Sequence, residues 1–281
     1  MSKEDMWVAS ADPAVRVRVY PANSASRAAD AKPPALLWMH GGGFVGGSLD
    51  MPEGDAVCSR LAASGITCVS VDYRLVPAFG KGRARKTANA VRFPLPLDDC
   101  AHAWQWLVDN APELGVDSAR LHVGGASAGG CLAAALALRL TSAGTAPRGV
   151  VLAYPFLHPE LPAFGPELRH ALRGLRRAGT FSASVVKWMA GNYVGRGRRH
   201  LLPQAFPGGS DLTGFPPTLI VNSDRDSLRA SGEAFAAELR AQGRPVRVCC
   251  EAGTAHGHLN KPETPAFERS VATIAAWFDG C

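Results

Sequence analysis

Short apolar runs alternate with longer stretches of helical periodicity along most of this 281-residue chain. This alternation constrains the fold strongly, because strands that alternate with helices favour right-handed crossovers and a parallel sheet. The apolar runs predict strands at residues 15–20, 35–39, 66–71, 120–123, 149–154, 218–222 and 246–251. The amphipathic stretches predict helices at residues 55–64, 97–109, 129–140, 228–242 and 267–278. We therefore predict an α/β fold with a mostly parallel, doubly wound sheet, in which residues 15–20 form an edge strand.

Two segments, residues 79–93 and 158–206, interrupt the alternation of strands and helices. Connections of this length in a compact domain usually serve as lids or binding loops. The second segment contains a helical stretch at about residues 184–193, as expected for part of a helical cap. We expect a single domain over residues 1–281, with cap elements from about 1–30 and 158–206 over its functional site.

The formal net charge of +6 is concentrated in two basic stretches, because the rest of the chain is net acidic. Residues 81–92 contain five basic residues and no acidic one, and residues 158–206 contain eight basic residues against two acidic ones. Such segments either bind an anionic substrate or keep an exposed lid hydrated, and the sequence leaves both interpretations open. Nucleic-acid binding is not expected, since few aromatic residues interleave with the basic ones and no recognition motif accompanies them.

The seven cysteines are scattered without the spacing of a metal site, which favours free thiols in a reducing compartment. The first ten residues are polar and mixed in charge, and they lack the apolar stretch of a secretory signal. The longest apolar run, residues 131–138, is too short to span a bilayer. We therefore expect a cytoplasmic protein with no metal and no membrane span.

A Gly-Ala-Ser-Ala-Gly pentapeptide, residues 125–129, lies between a predicted strand and an alanine-rich predicted helix. A serine on such a turn points its hydroxyl out of the sheet, and the tight turn requires small neighbours. The helix N-terminus adds oriented amides that stabilise a developing oxyanion. This context predicts that Ser127 is a nucleophile. The alternative is a tight turn in a nucleotide-binding crossover.

A second glycine-rich motif, His-Gly-Gly-Gly-Phe at residues 40–44, follows the predicted strand 35–39 directly. Glycines let the backbone approach a ligand and turn its amides inward, as in the oxyanion loop of esterases. Together with the serine turn, this motif predicts that the backbone amides of Gly42, Gly43 and Ala128 form an oxyanion hole. Alone, the glycines would also fit a flexible loop or a phosphate-binding turn.

A serine nucleophile requires a histidine base and a carboxylate that orients the base. In this type of fold the acid and the base follow later strands, in the chain order serine, acid, histidine. Asp224 and Asp226 follow one predicted strand, and His256 and His258 follow the last one. Spacing alone does not choose between the two acids or between the two histidines.

Several motifs together resemble the hormone-sensitive lipase family of α/β-hydrolases, in its bacterial carboxylesterase form. They are His40-Gly41-Gly42-Gly43-Phe44, Asp72-Tyr73-Arg74-Leu75-Val76-Pro77, Phe93-Pro94 with Asp98-Asp99, the turn around Ser127, Asp226-Ser227-Leu228-Arg229 and His256-Gly257. The resemblance covers nearly the whole chain from about Ala35 onward. In that family the acid opens an Asp-x-Leu-Arg element and the base precedes glycine, which implies a triad of Ser127, Asp226 and His256. The resemblance also implies a cap, small-molecule ester substrates and no cofactor.

Two residues near these motifs depart from the family pattern. Ala126 precedes the expected nucleophile, where the family usually has aspartate. Ala78 follows the Tyr-Arg-Leu-x-Pro element, where the family usually has glutamate. Both departures change residues around the expected site and leave the expected triad intact.

The sequence thus predicts a serine carboxylesterase that hydrolyses small esters, with short acyl or aryl groups, through an acyl-enzyme. Hydrolysis of a lactone or an amide is an alternative, since the same triad does not fix the leaving group. A non-catalytic ligand-binding receptor is a further alternative, which the presence of His256 disfavours. We expect Phe44, Trp188 and Tyr193 to contact the substrate. A homodimer paired through the last strand and helix is implied by the family resemblance alone.

Overall fold

The computed structural model of the protein describes residues 3–9, 11–23, 31–78, 91–173, 180–195 and 197–280. The strands in these residues are β1 (Glu4–Val8), β2 (Val15–Tyr20), β3 (Ala35–Met39), β4 (Thr67–Asp72), β5 (Leu121–Ala126), β6 (Val150–Ala153), β7 (Thr218–Arg225) and β8 (Val246–Ala255). They form one sheet in the order β1-β2-β4-β3-β5-β6-β7-β8. From β4 to β8 the neighbouring strands run parallel, while β2 pairs antiparallel with both β1 and β4.

Helices alternate with the strands from β3 onward. They are α1 (Pro52–Ala63), α2 (Leu95–Asp109), α3 (Ala128–Ser142), α4 (Pro166–Ala171), α5 (Ala183–Val194), α6 (Leu202–Ala205), α7 (Arg229–Ala241) and α8 (Pro265–Phe278). Among the described residues, 3₁₀ turns occur at Arg199–Leu201 and His258–Asn260. The mostly parallel sheet with helical crossovers confirms the predicted α/β fold.

The apolar core lies on both faces of the sheet, as the burial of β3 illustrates. All five residues of β3 are buried. Leu37 and Met39 join a cluster that includes side chains of α2, α3 and α7, whereas Leu36 and Trp38 join a cluster that includes side chains of α1 and α8. A strand covered on both faces has a continuous apolar sequence, which explains why residues 35–39 could be predicted.

The N-terminal residues differ from the prediction. Residues 15–20 form β2, which is the second strand of the sheet, because β1 pairs with it and occupies the edge. The prediction of a cap element over about residues 1–30 is therefore wrong for β1 and β2, which belong to the sheet. An ion pair between Asp5 of β1 and Arg18 of β2, 2.5 Å apart, holds the edge strand in place. Four of the five β1 residues are exposed, and its apolar run, Met6-Trp7-Val8, is too short to predict a strand.

The insertion between β6 and β7 contains α4, α5 and α6 in its described part. Helix α5 packs against the glycine motif, since Tyr193 stacks on Phe44 with ring centroids 3.9 Å apart. Several residues of the two basic segments lie outside the described residues, namely Lys81, Arg83, Arg85, Lys86, Arg176, Arg177 and Arg196. The role predicted for the basic segments stays a prediction.

Three further features concern metals, membranes and thiols. No helix among the described residues is long and apolar enough to cross a membrane. The same part of the chain contains no group of three or more His, Cys, Asp or Glu side chains that could hold a metal ion. The described cysteines, Cys58, Cys68, Cys100, Cys131, Cys249 and Cys250, are free thiols.

Candidate active site

Ser127 occupies the sharp turn between β5 and α3, where the sequence predicts a nucleophile. Its φ of 54° lies in the left-handed region that residues with side chains rarely adopt, so the turn is strained. Glycines flank it because a Cβ at Gly125 would lie 2.4 Å from the Gly129 carbonyl oxygen, and one at Gly129 would lie 2.2 Å from that of Met39. The Ser127 amide donates to the Ala153 carbonyl oxygen at 2.9 Å, which ties the turn to β6.

A hydrogen-bonded chain of three side chains begins at Ser127. Its Oγ lies 2.9 Å from Nε2 of His256, and Nδ1 of the same ring lies 2.5 Å from Oδ2 of Asp226. The other oxygen of this buried carboxylate accepts a hydrogen bond from the Leu228 amide at 2.9 Å. An ionised Asp226 favours the histidine tautomer with its proton on Nδ1, which leaves Nε2 as an acceptor for the serine hydroxyl.

Three strands of the sheet bring these residues together. Ser127 follows β5, Asp226 follows β7 and His256 follows β8. The strands from β5 to β8 are adjacent and parallel, so their carboxyl ends meet at one edge of the sheet. In open α/β sheets this edge is the usual place for a ligand site.

Asp224 and His258, the competing acid and histidine, lie outside this chain. Asp224 accepts hydrogen bonds from Arg229 Nη1 at 3.1 Å and from a backbone amide of β8 at 3.0 Å. His258 is buried, with its two ring nitrogens 2.8 Å from the hydroxyls of Ser223 and Ser270. Burial lowers the pKa of His258 to about 4, so its ring is neutral at pH 7. Both residues therefore support the loops around the site.

The glycine loop, residues 41–46, lies beside the serine turn because β3 pairs in parallel with β5. Gly42 has a φ of 116°, and a Cβ there would lie 2.0 Å from the Gly46 carbonyl oxygen, so only glycine fits. Within the described residues, the N–H groups of Gly42 and Gly43 have no hydrogen-bond acceptor. Ala128 is the first residue of α3, and its N–H has no acceptor within the helix. These three donors are thus free to bind an anion.

The residues predicted to contact the substrate lie in different surroundings. Phe44 and Tyr193 are fully buried and stack on each other, so neither offers a surface to a substrate. The prediction that they contact the substrate is therefore corrected: their stacking fixes the glycine loop against α5. Trp188 of α5 is 42% exposed. Its neighbour Met189 faces the loop, because its methyl carbon would lie 3.1 Å from a Cβ at Gly43.

Two aromatic rings that the motifs did not identify pack against His256. Tyr154 and Phe181 both approach it edge to face, with ring centroids at 5.0 and 4.9 Å. Phe181 also lines a groove of about 590 Å³. The other residues that line this groove are Leu161, Pro162, Ala163, Phe164, Thr180, Ser182 and Ala183. This groove is mainly apolar, and Phe181 is the residue of its lining that contacts the imidazole. The only sequence signal for Tyr154 is its position at the end of a predicted strand.

Glu53 is a third residue that the motifs did not identify. It lies in the first turn of α1 and is only 2% exposed, although it carries a carboxylate. Its Oε1 accepts a hydrogen bond from the Gly41 amide at 2.7 Å. In the sequence it looks like an ordinary acidic residue at the start of a helix, where such residues are favoured.

Comparisons with known proteins agree with this fold and these motifs. A family profile for the α/β hydrolase fold matches residues 36–260. An ethyl acetate hydrolase of Pseudomonas putida is 33% identical over 229 residues, which cover 80% of this chain and 66% of that protein. The carboxylesterase NlhH of Mycobacterium tuberculosis is 32% identical over 231 residues, which cover 81% of this chain and 67% of that protein. The chain therefore spans about two thirds of the length of these curated relatives.

A solved structure extends the similarity over nearly the whole chain. A hyperthermophilic esterase from the archaeon Pyrobaculum calidifontis superposes with a TM-score of 0.81 at 32% identity, covering 99% of this chain and 85% of that one. The esterase names among these proteins agree with the ester hydrolase that the sequence predicts. The matches confirm the resemblance seen in the motifs: the chain belongs to the hormone-sensitive lipase family of α/β-hydrolases.

Proposed function

We propose that the protein hydrolyses small carboxylic esters through a covalent acyl-enzyme on Ser127. The observation that carries this proposal is the continuous chain from Ser127 Oγ to His256, at 2.9 Å, and on to Asp226, at 2.5 Å. Esterase relatives with similar sequences support the same reaction class. The buried carboxylate, the oriented imidazole and the strained serine together form the arrangement that acyl transfer requires.

In the first half of the reaction, Ser127 Oγ attacks the acyl carbon while His256 Nε2 takes its proton. Asp226 stabilises the imidazolium that forms and holds the ring through Nδ1. The same imidazolium then donates its proton to the leaving alcohol, so the ester bond breaks and an acyl-serine remains. In the second half, His256 activates a water molecule, which releases the carboxylic acid and restores the serine.

The tetrahedral intermediates of both halves carry a negative oxygen. We assign its stabilisation to the amides of Gly42, Gly43 and Ala128, which are free donors beside the serine turn. Donors preorganised in this way are worth about 3 kcal/mol each, as judged from the loss of rate when one is removed. The dipole of α3, whose N-terminus adjoins Ser127, adds to this stabilisation.

The substrate class follows from the surroundings of His256. The imidazole protonates the leaving group, so the alcohol part of the ester must lie on the side of His256. The groove that Phe181 lines is mainly apolar and therefore suits an uncharged alkyl or aryl alcohol. The name ethyl acetate hydrolase, carried by one relative, supports short acyl groups. We infer that the described helices of residues 158–206 form the cap over this site.

The test is a series of p-nitrophenyl esters from acetate to palmitate, with Ser127→Ala and Ser142→Ala as matched variants. Ser142 is exposed at the end of α3, and its hydroxyl donates to the Leu138 carbonyl oxygen. We expect the highest kcat/KM between acetate and butyrate, a loss of at least ~10⁴-fold in Ser127→Ala, and no loss in Ser142→Ala. Substantial turnover by a folded Ser127→Ala protein, or turnover of amides or lactones in place of esters, would overturn the proposal.

We also infer that the protein works in a reducing compartment, the cytoplasm. Six free cysteines in the described residues support this inference, since oxidising compartments favour paired cysteines. Fractionation of the source cells with an antibody against the protein tests it. Recovery in an extracytoplasmic fraction would contradict it.

A homodimer is a further proposal, supported by the free edge of β8. This strand is the last of the sheet, and half of its ten residues are exposed. An exposed edge strand offers unpaired backbone groups to a second copy of the chain. Light scattering after gel filtration should give twice the chain mass of 29.5 kDa. A mass of one chain would contradict the proposal.

A further inference from the structure

The carboxylate of Glu53 is buried beneath the glycine loop and bonded by neutral donors. Its Oε1 accepts from the Gly41 amide at 2.7 Å. Its Oε2 accepts from the Tyr154 hydroxyl at 2.7 Å and from Asn260 Nδ2 at 2.9 Å. No lysine or arginine among the described residues forms an ion pair with it. A buried carboxylate without a cationic partner is unfavourable unless hydrogen bonds satisfy it, so these three donors account for its place.

Each donor to Glu53 belongs to a different wall of the candidate active site. Gly41 is the first residue of the glycine loop and directly precedes the two free amides. Tyr154 lays its ring against His256 at a centroid distance of 5.0 Å. Asn260 lies in the 3₁₀ turn that follows His256, and its Oδ1 in turn accepts from the Glu53 amide at 3.3 Å. One carboxylate thus links the glycine loop to the loop that carries the imidazole.

Ala126, the residue before the nucleophile, has no polar side chain that could help to hold the glycine loop. The space around Gly41 is also tight, because a Cβ there would lie 2.3 Å from Glu53 Oε1 and 3.2 Å from the Ala126 carbonyl oxygen. The Gly41 peptide is therefore held by Glu53 in close contact with the strand that leads to Ser127. A rotation of this peptide would move the next amides, those of Gly42 and Gly43.

We propose that Glu53 is a positioning residue for ester hydrolysis. Its carboxylate fixes the Gly41 peptide, so that the following amides point at the oxyanion, and it holds Tyr154 and Asn260 against the His256 loop. This inference rests on the proposed function of the site. The positioning role requires a carboxylate at residue 53, because three donors converge on its two acceptor oxygens. A glutamine would place its NH₂ group against at least one of these donors.

The test compares Glu53→Gln with a matched control, Glu268→Gln. Glu268 lies on α8, and its exposed side chain pairs at the surface with Arg60, which is also exposed. With p-nitrophenyl butyrate, we expect kcat of Glu53→Gln to fall about 10- to 100-fold, since misplacement by about 1 Å costs about that much. KM should change less than about threefold, because the loss concerns an interaction made in the transition state. Glu268→Gln should match the wild type.

A second variant and a second readout separate positioning from stability. Tyr154→Phe keeps the ring beside His256 and removes only one donor, so kcat should fall by less than in Glu53→Gln while the protein stays folded. The rate constant for phosphonylation of Ser127 by a fluorophosphonate should fall together with kcat, since the phosphoryl oxygen uses the same amides. Thermal melts report the fold.

Each outcome bears on the inference. A folded Glu53→Gln protein with wild-type kcat and wild-type phosphonylation rate overturns it. A lower melting temperature with unchanged kcat per labelled site also overturns it, because the carboxylate would then serve stability alone. If the wild type neither hydrolyses esters nor labels at Ser127, the proposed function itself fails. If the wild type hydrolyses esters and labels at Ser127, and Glu53→Gln is equally active, only the role of Glu53 is contradicted.

Discussion

Asp226→Asn perturbs the hydrogen-bonded chain at its most buried member. Asp226 Oδ1 is held by the Leu228 amide at 2.9 Å, so in the variant the amide oxygen of asparagine takes this place. The NH₂ group then faces Nδ1 of His256, where Asp226 Oδ2 lies 2.5 Å away in the wild type. A donor at this point stabilises the tautomer with its proton on Nε2. That tautomer cannot accept the proton of Ser127.

The expected loss follows from this change of tautomer. A histidine held in the wrong tautomer lowers kcat by about 10⁴-fold, which corresponds to about 5 kcal/mol of transition-state stabilisation. KM should change little, since the substrate contacts are untouched. The assay is the initial rate of p-nitrophenyl butyrate hydrolysis at pH 8, with circular dichroism to verify the fold.

Asp224→Asn is the matched control, because it makes the same substitution at an aspartate two residues before Asp226. Asp224 contacts Arg229 and a backbone amide of β8, and Arg229 keeps its bonds to Glu233 and Glu167 in the variant. We expect kcat within about threefold of the wild type, because Asp224 does not contact His256 or Ser127 and the buried Arg229 keeps its other two carboxylate partners. A larger loss in Asp224→Asn than in Asp226→Asn would refute the reasoning from tautomers.

Three further predictions concern the turn, the groove and the response to pH. Gly125→Ala places a Cβ 2.4 Å from the Gly129 carbonyl oxygen, so urea titration should show a loss of about 1–3 kcal/mol; unchanged stability would contradict the steric argument. Phe181→Ala shortens one wall of the groove, and KM for phenyl esters should rise about fivefold, with methyl esters as the control. Equal changes for both esters would exclude the groove as the alcohol site. The third prediction concerns His258, because burial lowers its pKa to about 4, below that of an unfolded histidine. Its contribution to stability is complete above about pH 6.5 and is lost towards pH 4, by about 2–3 kcal/mol. Urea titrations at pH 7 and pH 4.5 should show that the free energy of unfolding falls less in His258→Gln than in the wild type. An equal fall in both proteins would contradict the assignment.

The central strands could be predicted from the sequence because burial on both faces gives them continuous apolar runs. Residues 35–39 coincide with β3, and the turn around Ser127 lies where the Gly-x-Ser-x-Gly pattern indicates. The order of serine, acid and histidine along the chain follows from the order of the strands that carry them. The choice of Asp226 over Asp224 depends on the family resemblance, since both residues follow the same predicted strand, residues 218–222.

Other parts of the molecule carry no local signal. The sequence does not predict the edge strand β1, because it pairs with one neighbour only, most of its side chains are exposed and its apolar run is three residues long. Glu53 was missed because its carboxylate contacts residues 12, 101 and 207 positions away in the chain. The burial of Phe44 and Tyr193 depends on how α5 docks on the glycine loop, and no periodicity within either segment determines that.

The most direct measurement of the central claim is the site of covalent labelling by a fluorophosphonate, read by mass spectrometry of the intact protein and of its peptides. The proposed mechanism predicts one adduct per chain, on Ser127, and none in Ser127→Ala. It also predicts that a short ester such as p-nitrophenyl butyrate slows the labelling. An adduct on another residue, or no adduct on a folded protein, would contradict the assignment of Ser127 as the nucleophile.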